Sequence, residues 1–112
     1  MTTQEPTWVT HDHAESAFRS RDATAICSAL ADAALTDSDR TWLEGWCVAL
    51  AAHEEPAVRQ MAATCIGHVA RRFRSLEGPA LAALEQLRRD PNVRGYAEDA
   101  LEDVRAVYRA PS

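Results

Sequence analysis

The chain has 112 residues, of which 46% are apolar, enough for one small domain with its own core. Its 4 glycines and 5 prolines are too few for a low-complexity chain, no apolar run approaches the ~20 residues of a membrane span, and its 3 irregularly spaced cysteines form no disulfide framework. All 12 basic residues are arginine, set against 17 acids, and the resulting net charge of -5 disfavours binding along a nucleic-acid backbone.

The start, Met1-Thr2-Thr3-Gln4-Glu5-Pro6, is polar and lacks a signal-peptide pattern, so the expected location is the cytoplasm. Residues 1–11 read as a lead-in whose Trp8 and Val9 tuck onto the first helix. Residues 12–109 read as a single helical domain, and 110–112 as a tail. Alanine dominates while Val and Ile are few, which favours closely packed helices over strands.

A short first helix is expected over 12–20, with Asp12 as N-cap, Glu15 completing a capping box, and Ala14, Ala17 and Phe18 inward. Arg21-Asp22 breaks the chain, and Asp22 caps a second helix over 23–35 with Ile26, Cys27, Leu30 and Ala34 at core spacing. Thr36-Asp37-Ser38-Asp39 forms a turn with capping residues. A third helix follows to about residue 52 on the stripe Trp42, Leu43, Trp46, Cys47, Leu50. After the turn at His53-Glu54-Glu55, Pro56 opens a fourth helix, where its missing N–H costs nothing. That helix runs over 56–73 with Val58, Met61, Ala62, Cys65, Ile66, Val69 and Phe73 inward. Ser75 to Gly78 turns the chain, and Pro79 starts a fifth helix with Leu81, Leu84 and Leu87 inward. Asp90-Pro91 caps and starts a sixth helix to about 109, whose stripe is Val93, Tyr96, Ala97, Ala100, Leu101, Val104 and Tyr108. The fold class is thus all-α: six helices in three antiparallel hairpins.

Two of these hairpins repeat. Glu55-Pro56-Ala57-Val58-Arg59 matches Asp90-Pro91-Asn92-Val93-Arg94 at a distance of 35 residues, and the match continues with Ala62 and Ala97, Cys65 and Ala100, Ile66 and Leu101. A period of this size marks a stacked helical array. The pattern has a physical logic. An acid caps the helix start, Pro fixes the first turn, Val enters the core, and Arg can reach the acidic cap of the neighbouring hairpin. Small residues at Ala62 and Ala97 let helices approach.

The run Glu55 to Gly67 resembles the HEAT-repeat pattern D-P-x-V-R-x-x-A-x-x-x-L-G. The second copy, Asp90 to Glu102, matches it with Glu102 in place of the glycine. The likeness covers residues 38–109; the first hairpin lacks Pro-x-Val-Arg, as terminal units of short arrays do. The resemblance implies a short HEAT-like α-solenoid. The segment Trp42 to Arg71, with Trp46-Cys47 and Cys65-Ile66-Gly67-His68-Val69-Ala70-Arg71, is also similar to small bacterial HEAT-like proteins, as is Ala97 to Val104. Some of these are immunity proteins that neutralise a toxin made beside them. That likeness implies a non-enzymatic module that binds a cognate, basic toxin domain without a cofactor. A scaffold or adaptor, or a nucleic-acid-handling enzyme on the same scaffold, stands as the alternative.

Six residues are the candidate partner-binding set: Glu98, Asp99, Glu102, Asp103, His68 and Arg71. Glu98 and Glu102 share a ridge of the last helix, with Asp99 and Asp103 beside it. Like charges there cost a few tenths of a kcal/mol per pair unless a basic partner, or Arg94 and Arg105, offsets them. His68 is expected on the exposed side of the fourth helix near Thr64 and Arg71. Gly67, which costs about 1 kcal/mol of helix stability against Ala, is expected to admit a neighbouring helix. Residues 71–89 carry about +3 and residues 90–105 about -3, so the two segments can attract each other.

Other chemistry has little support. His11-Asp12-His13 places two histidines at i and i+2, which diverge on a helix, and no further ligand follows at metal spacing. Cys65 and His68 have the spacing of a nucleophile pair, but Cys65 lies on the apolar stripe. Cys27, Cys47 and Cys65 read as free thiols in a reducing compartment. The paired carboxylates of the last helix could serve as general acid and base only within a pocket that nothing in the sequence implies. No P-loop, dinucleotide fingerprint or G-x-S-x-G motif is present.

Overall fold

A computed structural model describes the backbone of residues 7–109 and the side chains of residues 10–109. Among these residues there are six α-helices and no strand: α1 (Thr7–Phe18), α2 (Ala23–Thr36), α3 (Arg40–Leu50), α4 (Pro56–Phe73), α5 (Gly78–Leu87) and α6 (Arg94–Arg109). The expected docking of Trp8 and Val9 lies outside the described side chains.

The helix boundaries follow local chemistry. The Asp22 carboxylate accepts from the Ala25 N–H at 3.2 Å, and Asp39 accepts from the Trp42 N–H at 3.1 Å. Each fills one of the free donors of a helix start. Pro56 occupies the first turn of α4 as expected, but Glu55 makes no side-chain cap bond. Asp90 does bond locally: its Oδ1 accepts from Asn92 N at 2.9 Å, and its carbonyl accepts from the N–H groups of Val93 and Arg94. Residues 91–93 form this turn, so α6 begins at Arg94 and not at Pro91.

Two expectations for the first helix fail. It begins at Thr7, not at residue 12, so Asp12 lies in mid-helix and caps nothing. Glu15 completes no capping box. Its Oε2 instead accepts the Trp42 indole N–H at 2.7 Å, tying α1 to α3.

The helices pair as α1 with α2, α3 with α4, and α5 with α6; α4 then packs between α2 and α6, and α3 packs against α5. The molecule measures 42 × 37 × 19 Å, and the thin dimension is two helix diameters. This two-layer stack is compatible with the expected short solenoid. Ile26, Leu30, Leu43, Ile66 and Leu84 are fully buried between the layers. Each contributes about 1.5–3 kcal/mol, more than any exposed ion pair on the surface.

The repeat positions behave alike: Ala62, Cys65, Ile66, Ala97, Ala100 and Leu101 are all buried. Arg59 reaches the next hairpin. Its guanidinium pairs with Asp90 at 3.0 Å and donates to the carbonyls of His53 and Glu54. Arg94, its counterpart, bonds the Arg88 carbonyl instead.

Three residues expected in the core are exposed: Leu81, Tyr96 and Tyr108. The outermost helices α5 and α6 have neighbours on fewer sides, so the covered stripe is narrower than helical periodicity suggests. Tyr108 folds back and its hydroxyl bonds the backbone of Leu76. Trp42, Trp46, Met61, Phe73 and Cys27 are only partly buried. Glu44 is the converse: it is buried, with Oε1 accepting the Glu77 N–H at 2.9 Å and Oε2 3.5 Å from the Arg40 guanidinium.

Candidate partner interface

The outer face of the α2–α4–α6 layer can be traced from contacts. Toward α2, the Ala57 carbonyl accepts from the Cys27 thiol, Cys65 donates to the Leu30 carbonyl, and Arg72 donates to the Ala34 carbonyl at 2.8 Å. Toward α6, Gln60 donates to the Asn92 carbonyl at 2.8 Å, and Gly67 lies against Ala100 and Asp103. Between these flanks α4 shows a narrow ridge: Ala57, Thr64, His68 and Arg71. An open groove of about 380 Å³ runs between α2 and α4, lined by Cys27, Ser28, Ala31, Ala57 and Met61 among others.

Gly67 meets its expectation. A Cβ on it would lie 2.8 Å from Asp103 Oδ2 and 3.2 Å from Ala100 Cα. The absence of a side chain is what lets α6 settle there. The repeat position that diverges between the two copies is therefore the one at which the copies touch.

Three of the six candidate residues come together beside it. Arg71 donates to His68 Nδ1, and its Nε lies 3.7 Å from Asp103 Oδ2. Arginine can only donate, so His68 Nδ1 is an acceptor and the ring is neutral, with its proton on Nε2. Partial burial, reinforced by the Arg71 charge and opposed by Asp103, lowers the His68 pKa below its usual 6.5.

The other three do not join this cluster. Glu98 and Glu102 stand on the free edge of α6, away from α4, where Glu102 pairs with Arg109 at 3.8 Å. Asp99 is exposed on the flank between. The acidic ridge read from the sequence is thus split: Asp103 turns to α4, and the two glutamates face solvent. Arg94 and Arg105 do not supply the expected offset; the pairs formed are Arg71 with Asp103 and Arg109 with Glu102.

The arginine-rich segment does not converge either. Arg72 is spent on the Ala34 carbonyl and the Phe73 ring, and Arg88 pairs with Glu85. The ten residues of α5, about 15 Å long, separate Arg71 and Arg72 from Arg88 and Arg89.

The histidines of the first helix are engaged structurally. His11 stacks on Trp42 with ring centroids 3.7 Å apart, and its Nε2 bonds Asp37 at 2.8 Å. Among the described residues, no three His, Cys, Asp or Glu side chains gather as a metal set. Burial pushes the Cys65 thiol up to about 12 and raises Cys47 and Cys27 as well, which suppresses their reactivity. No described helix is long and apolar enough to cross a membrane.

The sequence missed two features of this region. Tyr96 falls on the flank of α6 between Asn92 and Ala100, both of which touch α4, yet it is 47% exposed. Leu35 continues the Ser28–Ala31 ridge of α2 and is 63% exposed. Aromatic character drew Tyr96 into the predicted core, and only the neighbours of α6 reveal otherwise.

No protein-family model matches the chain, and no curated protein sequence is similar to it. Among solved structures it is similar to a chain in the crystal structure of a CDI complex from Cupriavidus taiwanensis LMG 19424, with a TM-score of 0.79 and 30% identity over 98% of this chain and 99% of that one.

Proposed function

This protein belongs to the same family as that chain of the CDI complex, and on that premise we propose that it is an immunity protein: a non-enzymatic module that binds and neutralises a cognate toxin domain. We read CDI as contact-dependent inhibition, a toxin–immunity system. The observation that carries the proposal is the end-to-end likeness to a chain found in such a complex. A short HEAT-like stack suits the role, because it offers a wide, rigid face at little ordering cost.

The proposed contacts are Glu98, Asp99, Glu102, Asp103, His68 and Arg71, and the proposed partner is basic. The net charge of -5 supports this choice of partner. Complementary fields raise the association rate and make binding weaken as salt rises. Neutralisation would take place in the cytoplasm.

The test takes the reading frame next to this chain's own, whose C-terminal domain should be the toxin. Expressed alone in a susceptible host, that domain should arrest growth; co-expression of this chain should restore it, and the two should co-elute as one complex. Arrest that persists despite soluble co-expression, with no complex formed, rejects the reading.

A further inference from the structure

We infer that the basic toxin domain seats on the outer face of the α2–α4–α6 layer, with Tyr96 as its anchor, while the glutamates on the free edge of α6 steer it and stay wet. This placement rests on the immunity reading and goes beyond it by separating the residues that hold the partner from those that attract it.

The face has the composition of an interface core. Its α2 and α4 ridges present Ala, Ser, Thr and Met around the groove of about 380 Å³, with few charges. The charges it does carry are matched internally: Arg71 lies 3.7 Å from Asp103, and His68 is neutral. Covering it therefore strands no lone ion, whereas burying Glu98 and Glu102 would carry the desolvation cost of carboxylates. Two large apolar side chains stand out from it, Tyr96 at 47% exposure on α6 and Leu35 at 63% on α2. Exposed aromatic side chains at such a centre are the usual holders of binding energy.

Charge complementarity identifies the occupant. Asp32 on the α2 side and Glu98, Asp99 and Glu102 on the α6 side are exposed around the face. A protein surface with an apolar protrusion ringed by Lys and Arg satisfies both the centre and the rim. A nucleic acid would meet an acidic rim and is disfavoured.

The test measures binding kinetics against the toxin domain encoded beside this chain, at low and high salt. Tyr96→Ala and Leu35→Ser, both exposed and expected to melt as the wild type does, should each speed dissociation about tenfold or more and leave association within about twofold. The double variant Glu98→Gln/Glu102→Gln should slow low-salt association about threefold or more, flatten the salt dependence and speed dissociation far less than Tyr96→Ala does. Leu81→Ser on α5, in the other layer, should change neither rate. Unaltered dissociation in both Tyr96→Ala and Leu35→Ser, or fast dissociation in Leu81→Ser, overturns this placement alone. A wild-type chain that binds no toxin domain overturns the immunity reading and this placement with it.

Discussion

Gly67 of α4 and Asp103 of α6 are packed so closely that a single methyl group on the glycine would sit 2.8 Å from the aspartate Oδ2. The carboxylate could swing aside, but Ala100 Cα, at 3.2 Å, belongs to backbone, so α6 itself would have to give by a few tenths of an ångström. Alanine would gain about 1 kcal/mol of helix propensity and lose about 1–3 kcal/mol to overpacking. Gly67→Ala is therefore expected to be net destabilising by about 1 kcal/mol, and Gly67→Leu by more. Urea midpoints measure both; a Gly67→Ala protein more stable than wild type would show that α6 moves freely.

Arg59 joins two connections by one side chain, through Asp90 and the carbonyls of His53 and Glu54. Its guanidinium is mostly covered, with 18% side-chain exposure. Removing it leaves acceptors unpaired, and Arg59→Met should cost about 2–3 kcal/mol. Arg59→Lys should recover less than half, because one ammonium cannot span the three acceptors. A double-mutant cycle with Asp90→Asn isolates the ion pair; additivity would mean that the pair contributes nothing.

The Trp42 indole N–H holds the Glu15 carboxyl below its ordinary 4.5. A depressed carboxylate contributes stability that is present above the unfolded value of 4.5 and is lost as pH falls through the lower folded value. The stability gap between wild type and Glu15→Gln should therefore be fully open well above pH 4.5 and shrink as pH falls below it. A gap that stays constant across this range removes the carboxylate from the explanation.

His68 works in the opposite chemical sense with the same outcome. Its pKa lies below 6.5 in the folded chain, so just under that value the unfolded chain holds more protons. Stability should fall as pH drops through the window from 6.5 to the folded value. His68→Gln should flatten that part of the pH profile, which thermal melts in matched buffers would show.

Arg74 ends α4 in the left-handed region, with φ 52° and ψ 36°. A residue with a Cβ is strained there by about 1 kcal/mol, part of which glycine returns through a looser unfolded chain. Arg74→Gly should raise the Tm by a few degrees, and Arg74→Val should lower it.

By itself, the sequence determined the helices and their chaining. Alanine content, caps at Asp22 and Asp39, Pro56 in its first-turn position and the 35-residue repeat are local signals, and local signals survive into the fold because helix starts are settled by residues three or four positions apart. The reach of Arg59 to Asp90 was legible for the same reason, since a repeat tells one unit where its neighbour begins. The first helix was misplaced because Asp12 and Glu15 mimic a capping box, while the true partner of Glu15 is Trp42, 27 positions away. Tertiary structure alone decided which side of each stripe is covered. Periodicity cannot see how much of the flank beside α4 is covered, so Tyr96 reads as core and stands exposed, while Glu44, outside the apolar stripe of α3, is buried between Arg40 and the Glu77 N–H. The candidate interface was divided in the same way. Four acids on one helix form one patch in sequence, but the side chain missing at Gly67 draws α6 in, turns Asp103 toward Arg71, and leaves Glu98 and Glu102 to the solvent.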